Sequence, residues 1–218
     1  DETVVDQVWW DSKILDAVKM RKELGLLGGS DNSICRLVHA EGDGMSGLII
    51  DYYDRVAVIQ THSVGMRHSL EAIKSALIAA LGSDLIGIYN KSAKLLRKLK
   101  LETEDGWIHG EAPKNWSPKE YGAAFEVDIL LGQKTGFFID QRENRDLLRR
   151  HSRGKKVLNV FSYTGGFSVT ALLGGTLRLG IRRAALRALV AITTERHRMS
   201  PRSVRTMVLA TALAVTFK

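Results

Sequence analysis

The stretch from Lys134 to Phe167 constrains this chain more than any other. It reads as a turn, a short helix, a buried strand, a glycine turn and a second helix. Asp140 and Glu143 stand three apart, the spacing by which an N-cap side chain and a returning carboxylate satisfy the free N–H groups of a helix. Leu147 and Leu148 offer that helix an apolar side, and Arg149, Arg150 and His151 suit its negative C-terminal end. Val157, Leu158, Val160 and Phe161 form a short apolar run, the pattern of a strand covered on both faces.

The run passes into Ser162-Tyr163-Thr164-Gly165-Gly166 and then Phe167-Ser168-Val169-Thr170-Ala171-Leu172-Leu173. Strand, glycine turn, helix is the arrangement by which open α/β sheets hold a nucleotide-like ligand at the carboxyl end of a strand. Glycine lets the ligand approach the backbone, and the helix N-terminus supplies N–H donors. The two adjacent glycines do not make the G-x-G-x-x-G dinucleotide fingerprint. From the residues alone, a nucleotide-type site and a plain tight turn both remain open.

Further towards the N-terminus, Ile14, Leu15, Val18 and Leu24 form one stripe of a helix over Lys13–Leu24, with Asp11 or Ser12 as its cap. Trp9 and Trp10 precede it, either as an apolar anchor or as a stacking platform for bases. Strands are expected at Cys35–Ala40, Ser46–Tyr52 and Arg55–Thr61, separated by Glu41-Gly42-Asp43-Gly44 and Tyr53-Asp54. Glu41, Asp43 and Asp51 lack the spacing of a calcium loop and read as turn residues, so no metal site is expected. Cys35 lies in an apolar strand, as a buried small hydrophobe or a nucleophile without a nearby histidine pattern.

A helix over His68–Leu81 ends at Gly82, and Asp84–Tyr89 makes a further strand. The segment Lys91–Lys100 is basic with a leucine side. Lys91, Lys94, Arg97 and Lys98 would either contact RNA phosphates or form a solvated face. Trp107–Glu111 and Tyr121–Leu131 read as strands flanking a loop that holds Pro113 and Pro118.

The composition, 44% apolar and 26% charged, is that of a globular chain. No apolar run reaches the ~18 residues of a membrane span, so no membrane partner is expected. The first residues lack the basic start and apolar core of a signal peptide, and the absence of an initiator Met suits a processed or trimmed chain. A single cysteine fits a reducing, cytoplasmic setting. The net charge of +8 belongs to the end of the chain: residues 176–218 hold eight Arg and one Lys against one Glu, and residues 1–175 are balanced. The high pI therefore says little about the partners of the body.

Lys134-Thr135-Gly136-Phe137-Phe138-Ile139-Asp140-Gln141-Arg142, Asn159-Val160-Phe161-Ser162-Tyr163-Thr164-Gly165-Gly166-Phe167 and Arg36–Asp51 together resemble three blocks of one family. This is the S-adenosylmethionine-dependent 23S ribosomal RNA cytosine-5 methyltransferase family, whose members usually carry an N-terminal PUA domain. The resemblance spans residues 9–175. It implies an α/β fold: a small α+β central, RNA-contacting domain over 1–110, then the start of a Rossmann-like class I methyltransferase domain over 111–175. It implies S-adenosylmethionine as cofactor, bordered by Phe161, Ser162, Tyr163, Thr164, Gly165 and Gly166, with Asp140, Gln141 and Arg142 beside the same pocket. It also implies 23S ribosomal RNA as partner, with Lys134 holding RNA or the cofactor carboxylate.

Methyl transfer to cytosine carbon-5 needs a thiolate that adds to the ring. The family's Asp-Pro-Pro segment and later cysteines are missing from this sequence, so no catalytic residue is assigned and the chain is expected to be inactive. Residues 176–218 read either as a basic amphipathic tail or as translation in a shifted frame. Permitted codons for Gly180-Ile181-Arg182-Arg183 yield Asp-Ser-Ser one frame away, an element the family would show near that point. Two other classes stay open. A non-catalytic RNA-binding module would show salt-dependent binding without a cofactor effect. A different nucleotide-dependent enzyme would be stabilised by a nicotinamide cofactor instead.

Overall fold

The computed structural model describes residues 4–101, 103–114, 116–160 and 162–182. The fold is mixed α/β around a five-stranded sheet, β1 (Ile34–His39), β2 (Leu48–Tyr53), β3 (Val56–Thr61), β4 (Gly87–Asn90) and β5 (Gly106–Gly110), in that spatial order. All neighbours are antiparallel except β3 and β4. The β2–β3 turn is tight because Asp54 (φ 42°) and Arg55 (φ 70°) both take positive φ, the geometry that matches strand twist in two-residue hairpins.

Between β3 and β4 the chain forms α2 (Val64–His68) and α3 (Leu70–Leu81), a crossover that makes the two strands parallel. The sequence predicts one helix over His68–Leu81; two are found, with Ser63 capping the first through Met66 N. α3 and α1 (Gln7–Glu23) cover one face of the sheet. Ile14, Val18, Ile73 and Leu77 meet Cys35, Leu37, Ile50 and Ile59 there. Each of the isoleucine, leucine and valine side chains contributes roughly 1.5–3 kcal/mol by leaving water.

α1 starts earlier than expected. Its cap is Asp6, which accepts from Trp9 N at 2.9 Å, so Trp9 and Trp10 lie inside the helix. Trp10 is buried and packs edge-on against Trp9, which fits the anchor reading of the pair.

The other sheet face, with Ile34, Tyr53, Val56, Val58 and Tyr89, is covered by Phe125, Val127, Ile129, Phe137, Ile139 and Val169. The strand expected over Tyr121–Leu131 is absent as such: only the hairpin β6 (Lys119–Glu120) and β7 (Ala123–Ala124) is paired. After it, the alternating apolar residues pack on the first sheet without a ladder of their own.

The chain continues through α4 (Ala93–Leu96), before β5, to α5 (Arg142–His151), β8 (Lys156–Val160), α6 (Gly166–Leu173) and β9 (Arg178–Arg182). β8 and β9 pair in parallel. Two expectations fail here. β8 is not covered on both faces, since Leu158 is 64% and Val160 48% exposed. The buried side of α5 is not Leu147 and Leu148 but Arg142 and Arg145. The Asp140 cap also fails, because a 3-10 turn over Ile139–Gln141 moves the helix start to Arg142 and puts Gln141 at the cap, where its side chain accepts from no backbone N–H of the helix.

No described helix is long and apolar enough to cross a membrane.

Candidate functional site

The site is built at the carboxyl end of β8. Gly165 takes φ 80° and donates to the Ser162 carbonyl at 2.7 Å, closing a tight turn that only glycine adopts without strain. Tyr163 also has positive φ (44°), an unusual conformation for an aromatic residue and one often tied to function. Gly166 opens α6 on a shelf made by Arg145 and Phe137. A Cβ there would lie 3.3 Å from Arg145 Cδ and 3.5 Å from Phe137 Cζ.

Above this turn lies a cavity of about 310 Å³. Its lining comprises Ser162, Tyr163, Thr164, Gly166 and Phe167 from the turn, with Gln133, Phe137, Phe138, Gln141 and Arg145 from the preceding segment. The size falls in the range of small-molecule sites, ~300–1,000 Å³. Phe138 and Tyr163 pack edge to face, 5.0 Å between centroids, and present aromatic walls. The Tyr163 hydroxyl accepts from Gln133 N at 2.6 Å, and burial raises its pKa above the ordinary 10.0.

Ser162 Oγ is buried and has no hydrogen-bond partner. Buried hydroxyls are nearly always satisfied, so this one suits a polar ligand in the cavity. Together with the glycine cradle and the aromatic walls, it fits a nucleoside-type cofactor.

Asp140 stands half exposed, paired with Lys134 Nζ at 3.2 Å and accepting from Gln141 Nε2 at 3.3 Å. Burial acts to raise its pKa, but these hydrogen bonds hold it below the usual carboxyl value. Lys134 Nζ also lies 4.5 Å from the centre of the Phe138 ring.

The expected residues are only partly brought together. Ser162, Tyr163, Thr164, Gly166 and Gln141 line the cavity, Gly165 shapes the turn, and Asp140 and Lys134 lie at its rim through Phe138. Phe161 lies outside the described residues. Arg142 points elsewhere: its guanidinium is buried, donates to the Ile34 carbonyl and approaches Glu120 at 3.6 Å.

Arg145 takes the place expected of Arg142. It is 2% exposed, donates twice to the buried Glu120 (2.6 and 2.7 Å) and once to the Phe138 carbonyl (2.8 Å), and stacks on Phe137. The two arginines stand three positions apart, so both face inward from α5. Spacing alone could have flagged that, but Glu120, their shared acceptor, is fixed only by the fold.

Of the basic segment, Lys94, Arg97 and Lys98 are exposed. Lys91 is not available in the same way, because its ammonium donates to the Gly132 carbonyl at 2.7 Å and burial lowers its pKa. A larger, more open depression of about 510 Å³ lies beside Arg97, walled by Glu104 and Asp105. It lacks any contact with the glycine turn and mixes cation with carboxylates, so the smaller cavity is the better candidate.

The acidic residues weighed as metal ligands are engaged within the protein: Asp43 by Arg21, Asp51 by Arg36 and Thr135, Glu41 by Ser46. Among the described residues, no three His, Cys, Asp or Glu side chains are grouped to hold a metal. Cys35 is buried under α1 and α3, and desolvation pushes its thiol up to about 12.

The chain is 38% identical over 181 residues to Ribosomal RNA large subunit methyltransferase I of Vibrio vulnificus strain YJ016, covering 80% of this chain and 44% of that protein. It is 38% identical over 173 residues to the protein of the same name from Escherichia coli O139:H28, covering 78% and 43%. It therefore spans less than half the length of these relatives. A solved structure described as a SAM-dependent methyltransferase from Streptococcus mutans superposes with a TM-score of 0.71 at 25% identity, covering 83% of this chain and 46% of that one. Another, of a methyltransferase complexed with SAH, gives the same score and identity. The sequence pattern of one family, the S-adenosylmethionine-dependent methyltransferases, matches residues 37–211, so the likeness does not stop at Gly175. The chain belongs to the S-adenosylmethionine-dependent methyltransferase family.

Proposed function

We propose that this chain carries the cofactor turn and the adjoining RNA-contacting unit of a methyltransferase acting on carbon-5 of a cytosine in large-subunit ribosomal RNA. On this reading residues 1–110 form the RNA-contacting unit and 111–175 the first part of the cofactor-binding unit. S-adenosylmethionine, when bound, supplies an electrophilic methyl group on its sulfonium sulfur. The residues of this chain hold that cofactor: Ser162 Oγ donates to it, the Gly165–Gly166 turn lets it approach the backbone, and Phe138 and Tyr163 flank it. Asp140, Gln141 and Lys134 close the rim, and Lys94, Arg97 and Lys98 contact RNA phosphates.

The observation that carries this reading is the unsatisfied Ser162 hydroxyl in a cavity at the carboxyl end of β8. By itself this stretch of chain binds the cofactor without transferring the methyl group. Attack at carbon-5 needs a thiolate, and the one cysteine is Cys35, buried away from the cavity with its pKa at about 12.

Calorimetric titration with S-adenosylhomocysteine tests the first half. Binding is expected, and it should be abolished in Gly165→Val, which places a β-branched side chain at φ 80°. Incubation with tritiated S-adenosylmethionine and ribosomal RNA tests the second, where no incorporation is expected. Failure to bind S-adenosylhomocysteine, or transfer of label to carbon-5, would each overturn its half.

A further inference from the structure

From Leu147 to Arg182 the sequence contains no Asp or Glu, yet it carries Arg149, Arg150, Arg153, Lys155, Lys156, Arg178 and Arg182. Two of these are used within the fold: Arg149 donates to the Tyr121 carbonyl and Arg150 pairs with Asp146. Arg153, Lys155, Lys156 and Arg178 are exposed, and among the described residues none of them has a carboxylate within salt-bridge distance.

The fold brings these four together. Gly154 N donates to the Gly175 carbonyl at 2.9 Å, and Leu177 N to the Lys155 carbonyl at 2.8 Å, so the loop before β8 is tied to the turn before β9. The Thr176 hydroxyl donates to the same Lys155 carbonyl. Lys156 and Arg178 are direct partners in the parallel ladder, and the Arg153 side chain lies against Gly175. Like charges directly opposite each other in a sheet are destabilising unless a counter-charge intervenes. Four unpaired cations held on two interlocked loops therefore make a strongly positive edge.

We infer that this edge, at the opposite end of β8 from the glycine turn, is a second docking surface for the RNA phosphate backbone, formed by Arg153, Lys155, Lys156 and Arg178. It rests on the proposed RNA substrate, because the polyanion it takes is that same RNA. A strand seated here adds affinity without touching the cofactor cavity. An anionic membrane is the poorer partner. It requires an apolar face beside the cations, and apart from Leu177 the exposed apolar side chains of these strands, Leu158, Val160 and Ile181, lie further along β8 and β9 towards the turn.

The test is fluorescence anisotropy of a labelled RNA hairpin, titrated with the full chain over a range of salt concentrations. Each phosphate neutralised contributes roughly 0.7–0.9 to the slope of log affinity against log salt. Substituting Arg153→Gln, Lys155→Gln, Lys156→Gln and Arg178→Gln together should lower that slope by roughly 3 and weaken binding about 10-fold or more at ~0.1 M salt. S-adenosylhomocysteine binding, read by calorimetry, should not change, which also shows that the variant is folded. If the fourfold variant fails to fold, the pairs Arg153→Gln with Lys155→Gln and Lys156→Gln with Arg178→Gln should each take about half the slope. An unchanged slope overturns this surface and leaves the substrate reading standing. No RNA binding by the parent chain overturns both. Competition by phosphatidylserine vesicles that depends on the same four residues overturns it in favour of a membrane.

Discussion

Glu120 anchors Arg145, which lines the cavity above the glycine turn, and its removal should be the most damaging single change near that cavity. It is 1% exposed and accepts two short hydrogen bonds from Arg145, itself 2% exposed, while Arg142 Nε stands 3.6 Å away. Glu120→Gln keeps the shape but removes the charge, leaving two buried guanidinium groups without a counter-ion. Breaking a buried pair in this way costs about 3–5 kcal/mol, against a total stability of about 5–15 kcal/mol for a typical domain. By contrast Glu71, 75% exposed in its pair with Lys74, should cost about 1 kcal/mol or less when changed to Gln. Urea unfolding followed by tryptophan fluorescence compares the two variants directly. At a slope of about 1–3 kcal/mol per molar, the Glu120 variant should lose at least ~1 M of midpoint. Binding of S-adenosylhomocysteine should weaken with it, because Arg145 supports Gly166 and ties down the Phe138 carbonyl. If Glu120→Gln loses less than ~1 kcal/mol, the pair is not the desolvated clamp described here, and the reasoning from burial fails.

Three further outcomes are expected. Cys35 should resist a thiol reagent in the native protein at about pH 8 and react fully in urea; its raised pKa stabilises the fold below the ordinary value of 9.0, a contribution lost as pH rises towards about 12. Rapid native labelling would show that the α1–α3 layer opens. For Asp43, burial opposes ionisation, but the Arg21 guanidinium and the His39 amide hold its pKa below the ordinary 3.8. Its stabilisation is therefore present above that value and disappears as pH falls through the lower folded one, so Asp43→Asn should flatten the acid side of a stability–pH curve, and an unchanged curve would count against the pairing. Gly110→Ala should cost at least ~2 kcal/mol in urea unfolding, since φ is 47° and the ideal Cβ lies 1.9 Å from the Ile86 carbonyl oxygen; a neutral result would mean that β5 can shift away from β4.

The first three strands could be read from the sequence because alternation, turn residues and burial agree there: the antiparallel pairing of Ile50 with Ile59 places both on one side of the hairpin. Where the reading fails, one of those signals is decoupled from the rest. Phe125, Val127 and Ile129 alternate as in a strand and are indeed buried, yet they cover a sheet instead of joining one. Alternation reports which side is dry, not whether a ladder forms. In α5 the inward side chains are Arg142 and Arg145, so a search for an apolar stripe settles on Leu147, which is 50% exposed. An arginine face is stable only with a buried carboxylate opposite it, and Glu120 comes from a hairpin 25 residues away.

The same principle explains why the glycine turn is legible in the sequence while its support is not. The loop from Gly132 to Gly136 joins the first sheet to the cavity through bonds that no local pattern announces. Lys91 Nζ reaches the Gly132 carbonyl, Gln60 Nε2 the Lys134 carbonyl, and Thr135 Oγ1 donates to Asp51 while sharing a second bond with Tyr53. From the other side Gln133 N donates to the Tyr163 hydroxyl. Asp51 is fully buried and is held in turn by Arg36, so the network is satisfied from end to end. Gly136 permits the approach, since at φ 126° its Cβ would meet the Asp128 carbonyl oxygen at 2.8 Å. Lys91 therefore bonds inward: it fixes the loop that sets Tyr163, and through Tyr163 one wall of the cavity above the glycine turn.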